Sequence, residues 1–379
     1  MKVEFARDDL NKALSVIIPF IASGKDVLAE KNLLRMKFAP GMGIQLDYSN
    51  LESYVSSFVK NENVKEWNKG SVLVKASVAS KILSSFFSEE MILNFSDSQL
   101  TITDKNNQHK IHLRYEDNDF VEDVGGPFKN IVPIDSSVFQ KFLTYGEPFV
   151  AVDSTAPALM CIRILNDEKS LSMTALDGTK ISYSKELPTK NKIDILIPGR
   201  IAGSVKKVLP KTGNINLSQE GNSIYFWNSD FTIKILPYVG KYPDMNEFLT
   251  TIPLPYFTTT VGDLKRAMDI LDLVGQDLSL ESHYKNLFRF FAVGESVLMS
   301  LCGEDNQSEI TIGRKAQGLE NFTEIAFDKS NIIDFLSLYT PETEVTFSKI
   351  SIIGRPHPFF EIRSSSDINT VLIFSQTVV

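Results

Sequence analysis

Cysteine is almost missing from this chain: two in 379 residues, Cys161 and Cys302, far apart and each beside apolar neighbours. That excludes a disulfide framework and a thiolate metal site. Histidine is nearly as scarce, and only His109 and His112 are neighbours. Three apart on a strand, they point to opposite faces and make poor co-ligands. His357, in Arg355-Pro356-His357-Pro358, reads as a loop residue. No metal and no cofactor is expected. No apolar run approaches the ~20 residues of a membrane span. The start, Met1-Lys2-Val3-Glu4-Phe5-Ala6-Arg7-Asp8-Asp9, places charge where a signal peptide needs its apolar region, so the expected compartment is the cytoplasm, without a membrane partner. The chain also lacks a GxxxxGK phosphate loop, a GxGxxG turn and a GxSxG elbow. Asp177-Gly178-Thr179 offers one carboxylate, but Asp-Gly is first of all a hairpin turn, because glycine supplies the positive φ. Nothing points to catalysis, and a non-enzymatic role is expected.

What is present is ordinary globular material, 43% hydrophobic and 23% charged, with 39 basic against 47 acidic residues and a net charge of −8. This balance argues against a coat that grips nucleic acid with its whole surface. It leaves room for a local basic lining on an acidic body.

A pattern recurs along the chain: a short apolar strand, a small or polar cap, then an amphipathic helix. Leu10, Ala13, Leu14 and Ile17 fall at the spacing of one helix face. So do Ala79, Ile82, Leu83 and Phe86; Val138, Phe139, Phe142 and Leu143; and Ile201, Val205, Val208 and Leu209. Leu264, Ala267, Met268 and Leu271 follow Thr260-Val261-Gly262-Asp263, a variant capping box. The sixth set is Ile332, Phe335 and Leu336 after Phe327-Asp328. The helix starts, near 8, 77, 135, 199, 262 and 328, are evenly spaced, which means an internal repeat.

Between the helices lie strand-like runs. Gly43–Asp47 with Leu51–Val55, Leu171–Ala175 with Lys180–Tyr183, and Val297–Leu301 with Glu309–Ile312 each flank a turn. Ser98–Ile102, Asn222–Phe226 and Lys349–Ile353 form a further recurring strand. The full repeat is about 126 residues, so three α+β copies fill the chain, each with two helices and about eight strands. Links near Gly125-Gly126-Pro127 and Ile252-Pro253-Leu254-Pro255 set the expected domains at 1–128, 129–252 and 253–379.

Basic residues recur on the helices: Lys12, Lys81, Lys141, Arg200, Lys206, Lys207, Lys265, Arg266 and Lys329, with Asp269, Asp272 and Asp334 among them. They read either as solvated polar faces or, if the helices share one side of a curved sheet, as a lining for phosphates. Such contacts sense backbone charge and not sequence.

At this length and repeat number the chain resembles the bacterial sliding clamps, the beta subunits of DNA polymerase III. Met1-Lys2-Val3 with Leu10-Asn11-Lys12-Ala13-Leu14 resembles the family's start, and Asp47-Tyr48-Ser49-Asn50-Leu51-Glu52 its TDLE turn. Thr174-Ala175-Leu176-Asp177-Gly178-Thr179-Lys180-Ile181 resembles its ATDGHRL segment. Ile197-Pro198-Gly199-Arg200 with Val208-Leu209 and Gly240-Lys241-Tyr242-Pro243-Asp244 have their own counterparts.

The resemblance implies three tandem clamp domains, each with two helices packed on antiparallel sheets, forming half of a ring. It implies a head-to-tail homodimer around double-stranded DNA, without sequence preference. Implied partners are a replicative polymerase subunit, a clamp loader and other proteins bearing a clamp-binding motif. These would dock in an apolar cleft formed by Leu159, Leu176, Gly178, Thr179, Lys180, Ile181, Pro243, Phe248 and Ile373 with the tail Ser375-Gln376-Thr377. The residues facing DNA would be Lys12, Lys25, Lys81, Lys141, Arg200, Lys206, Lys207, Lys265 and Arg266. The dimer interface would set Ile111 and Leu113 against Leu273 and Val274. Two departures stand out. The family's His-Arg is Thr179-Lys180 here, and lysine lacks arginine's planar fork. The tail has neither the proline nor the arginine common in the family. A second reading is therefore a clamp-fold interaction scaffold that does not load on DNA.

Overall fold

A computed structural model describes the chain apart from residues 22–31, 51, 68, 87, 106–107, 121–127, 239, 278–286, 303–307, 318, 320–321, 356 and 378–379. Seven helices are present among the described residues: α1 Arg7–Ile17, α2 Ala76–Ser85, α3 Ser136–Gly146, α4 Gly199–Val208, α5 Asn246–Thr250, α6 Val261–Asp277 and α7 Lys329–Leu336. Six begin at the residue after a strand ends; α5 alone does not. These six are the helices read from the periodicity. Leu10, Ala13, Leu14 and Ile17 are buried on α1, and Leu264, Ala267, Met268 and Leu271 on α6.

The caps need correction. Asp135 and Asp328 do cap α3 and α7, each carboxylate accepting from an N–H of the first turn at 2.8 Å. Thr260 and Asp263 form the expected box, with the returning bond made from the threonine hydroxyl. No side chain caps α1, α2 or α4. At α1 and α2 a neighbouring carbonyl serves instead: Arg7 N–H donates to Glu89 O at 2.8 Å and Ala76 N–H to Asn32 O at 3.0 Å. A backbone acceptor already in place removes the need for a polar cap.

Contacts gather the chain into two compact units, Met1–Gln140 with Thr189–Pro237, and Lys141–Pro188 with Tyr238–Val379. The first holds a four-stranded antiparallel sheet in the order Lys2–Ala6, Glu90–Phe95, Gln99–Asp104, Lys110–Arg114. Its second sheet runs Ser71–Lys75, Leu33–Ala39, Gly43–Ser49, Ser53–Lys60, Phe231–Ile235, Ser223–Trp227, Asn214–Glu220, Val132–Asp135. The second unit holds one long antiparallel run: Cys161–Asn166, Leu171–Leu176, Lys180–Glu186, Asp367–Ser375, Phe359–Ser364, Glu344–Ile350, Leu254–Thr260, Glu309–Lys315, Ser296–Leu301, Leu287–Val293, Ile325–Asp328. Its core is aromatic, with Phe257 stacked on Phe347 at 4.4 Å between ring centres and Phe290 edge-on to Phe327.

One strand assignment is overturned. Lys349–Ile353 was expected to match Ser98–Ile102 and Asn222–Phe226. The strand ends at Ile350, the chain turns through Gly354 at φ +82°, and the matching strand is Phe359–Ser364. Apolar isoleucines continue through the turn, so hydrophobicity alone did not mark the end.

Candidate partner-binding cleft

All the residues expected in the cleft fall in the second unit. Its frame is the hairpin Leu171–Leu176 and Lys180–Glu186, closed by the pair Leu176–Ile181. Asp177 is a turn residue: its Oδ1 accepts from Thr179 N–H at 2.8 Å, Thr179 Oγ1 at 2.9 Å and Lys180 N–H at 3.0 Å. A carboxylate so engaged organises backbone, in line with the turn reading. Gly178 takes φ +104°, a conformation side chains disfavour.

The hairpin is joined along its edge to Asp367–Ser375, Ile181 opposite Ile373 and Lys180 opposite Phe374. The tail is tied by main chain: Ser375 N–H donates to Thr179 O at 2.8 Å, and Thr377 N–H to Ala326 O at 2.9 Å. The segment after Gly240 lies on this frame, for the Tyr242 hydroxyl donates to Thr174 O at 3.0 Å. Burial pushes the Tyr242 phenol well above its usual range, so it stays a donor. The α5 residue Phe248 meets Phe359 edge-on at 5.0 Å, and Phe359 pairs with Ser375. The hairpin, the tail and the 240–248 segment therefore converge.

Of the expected cleft residues, Leu159 and Pro243 are half-buried and Gly178 and Thr179 are exposed. Leu176, Ile181 and Phe248 are buried, and Ser375, Gln376 and Thr377 are half-buried. Two expected members are corrected. Ile373 is fully buried in its ladder and offers nothing to a ligand. Lys180 is 8% exposed; its Nζ pairs with Asp334 of α7 and with Asp177 at 3.7 Å, and lies 5.6 Å from the centre of the Phe149 ring. Its charge is neutralised inside the fold. Asp334 and Phe149 were not read from the sequence: Asp334 stands 154 residues from Lys180 and no periodicity links them.

Several of the basic residues are paired with carboxylates. Lys12 pairs with Asp230 at 3.2 Å, Arg200 with Glu52 at 2.6 Å, and Arg266 with Asp263 at 3.4 Å. Lys141 is half-buried between Glu186 and Asp367, each at 3.1 Å. Lys81, Lys207 and Lys265 are exposed and Lys206 is half-buried. Lys25 lies outside the described residues, as do the Gly125-Gly126-Pro127 link and the turn at 303–306. Of the expected interface residues, Leu113 is buried, Ile111 and Val274 are half-buried, and Leu273 is 66% exposed on α6. Ile111, Ile82, Phe86 and His109 line a cavity of about 560 Å³ in the first unit.

No group of three or more histidine, cysteine or acidic side chains could hold a metal among the described residues. No described helix is long and apolar enough to cross a membrane. No protein-family model matches the chain, and no curated protein matches it significantly. Solved structures do. The DNA polymerase III beta chain of Streptococcus pneumoniae is similar at TM-score 0.84 and 17% identity, covering 100% of both chains. The DNA polymerase sliding clamp of Bacillus subtilis is similar at TM-score 0.82 and 15% identity, over 100% of this chain and 99% of that one. The DNA polymerase III beta subunit of Pseudomonas aeruginosa is similar at TM-score 0.82 and 16% identity over both whole chains. The chain has the sliding-clamp fold.

Proposed function

We propose that this protein is a DNA sliding clamp: a head-to-tail homodimeric ring of six domains that encircles double-stranded DNA and makes a replicative polymerase processive. The observation that carries this reading is the full-length likeness to beta-subunit structures, with both chains covered end to end. The domains are read as residues 1–128, 129–252 and 253–379. A closed ring holds DNA by topology, so a modest basic lining on a chain of net charge −8 suffices. Partner peptides, from the polymerase, the clamp loader and other replication or repair proteins, dock in the cleft of Leu159, Pro243, Leu176, Ile181 and Phe248. The role is non-enzymatic, requires no cofactor, and belongs to the cytoplasm at the nucleoid.

The test is retention on DNA. Loaded on a nicked circle, the protein stays bound through a wash in high salt and is released when the circle is cut, because only topology resists salt. Loss from circle and linear DNA alike overturns the reading. The ion pairs that occupy Lys12, Arg200, Lys141 and Arg266 favour a second reading, a clamp-fold scaffold that binds partner peptides without loading. That reading predicts peptide binding without retention on any DNA.

A further inference from the structure

Two junctions join the repeats, Ser53–Lys60 with Phe231–Ile235 in the first unit and Lys180–Glu186 with Asp367–Ser375 in the second. Their surroundings are packed differently. α1 and α3 each begin at the residue after a strand, so their residues can be matched by place in the helix. Lys12 matches Lys141 as the sixth residue, and Val16 matches Tyr145 as the tenth. Counted from the starts of α4 and α7, Leu209 matches Tyr339 as the eleventh. On the junction strands, Val59 matches Glu186 as the seventh.

In the second unit these positions are filled. The Tyr145 and Tyr339 rings are in contact, 5.7 Å between centres. Lys141 lies between Glu186 and Asp367. Burial, with the Asp367 carboxylate beside it, pushes the Tyr145 phenol up to about 12, so its hydroxyl stays a donor. In the first unit two aliphatic side chains replace the two rings, and valine replaces the glutamate. Lys12 stays exposed on Asp230. A cavity of about 360 Å³ remains, with Ala13, Val16, Val59 and Phe231 as its buried apolar wall. Val208 and Pro210, on either side of Leu209, line it as well. Ligand clefts span roughly 300–1,000 Å³, so the volume suffices for a small group.

Asp230 lines the same cavity. It belongs to the hairpin joining Ser223–Trp227 to Phe231–Ile235, as Asp367 belongs to the one joining Phe359–Ser364 to its own strand. The Asn228 side chain fixes the turn, accepting from Asp230 N–H at 2.8 Å and Phe231 N–H at 3.1 Å. We propose that this cavity is a docking site for a tyrosine side chain presented by a partner protein, its ring against Val16 and Val59 and its hydroxyl on the Asp230 carboxylate. The second unit supplies that occupant to itself: a phenol ring beside a carboxylate from the corresponding hairpin. Asp9 and Asp230 balance Lys12 and Lys60 in the lining, so a neutral hydroxyl suits it better than an ion of either sign. The Lys12–Asp230 pair is solvated and weak, which leaves the carboxylate free to accept a second donor. One ring binds weakly alone and serves as an anchor within a larger contact.

The test is methyl NMR on the whole chain with N-acetyl-tyrosinamide as the probe. The probe saturably shifts the methyl signals of Ala13, Val16 and Val59. N-acetyl-phenylalaninamide binds there about threefold more weakly, because it lacks the donor for Asp230. Asp230→Ala brings the two probes to equal affinity. Val16→Tyr, which supplies the ring from within the chain, abolishes the shifts. Three results each overturn the proposal: no saturable shift at these methyls, equal binding of the two probes by the wild type, or a preference for the tyrosine probe that survives Asp230→Ala. None of these measurements needs a ring or DNA, so the site stands or falls separately from the clamp reading.

Discussion

The same junction is built twice within this chain, in one register but with different side chains. In the first unit the turn at Asn50–Ser53 leads into Ser53–Lys60, which pairs with Phe231–Ile235, and Leu236 N–H donates to Glu52 O at 2.9 Å. In the second, the turn at Asp177–Lys180 leads into Lys180–Glu186, which pairs with Asp367–Ser375, and Ser375 N–H donates to Thr179 O at 2.8 Å. Each turn sends a charge to the second helix of the next repeat, with the signs reversed. Glu52 meets Arg200 of α4 at the surface; Lys180 meets Asp334 of α7, buried beside Phe149. The backbone joins repeats in both places. The lysine of the second pair is buried and its aspartate partly exposed, whereas both members of the first are solvated.

The comparison can be broken or sharpened experimentally. The largest effect is expected at the proposed dimer contact on α6: Leu273→Asp leaves the protein monomeric at micromolar concentration, because an unpaired charge in an apolar contact is costly. A variant that stays dimeric by light scattering places the interface elsewhere. Next, Leu159→Ala with Pro243→Ala weakens binding of a polymerase-derived peptide by about 2 kcal/mol or more, as loss of anchor contacts does. Glu52→Gln, at the other junction, leaves that affinity unchanged, and unaltered binding in the double variant would remove the cleft assignment. The ion pairs should separate in stability. Asp334→Asn strands the buried Lys180 with only the more distant Asp177 and costs about 2 kcal/mol, whereas Glu52→Gln costs less than about 1 kcal/mol because its pair is solvated. Equal shifts in urea midpoint would mean burial is not what distinguishes them. Smallest is Gly178→Ala, at about 1 kcal/mol. A Cβ there meets nothing within 4 Å, so the whole cost is the positive φ, and a neutral result would show that the turn relaxes.

Much of this was legible in the residues. The Asp177-Gly178 turn follows from local backbone chemistry, and the buried faces of α1 and α6 from their 3.6-residue period. The strand end at Ile350 was not, because Ile352 and Ile353 keep the run apolar through a turn set by Gly354. The fate of Lys180 was not legible either. A lysine between a glycine turn and an apolar strand reads as a rim residue until Asp334, 154 positions away, is brought beside it.

The sequence by itself determined the repeat, six of the seven helices among the described residues, the turn chemistry and the α+β class, because each depends on periodicity and on neighbours a few residues apart. Tertiary structure alone decided which backbone carbonyl replaces a missing cap, which basic residues keep their charge for a ligand, and which cleft residues are exposed or buried. Those outcomes depend on groups far apart in the chain, whose burial and pairing exist only once the sheets have closed over them.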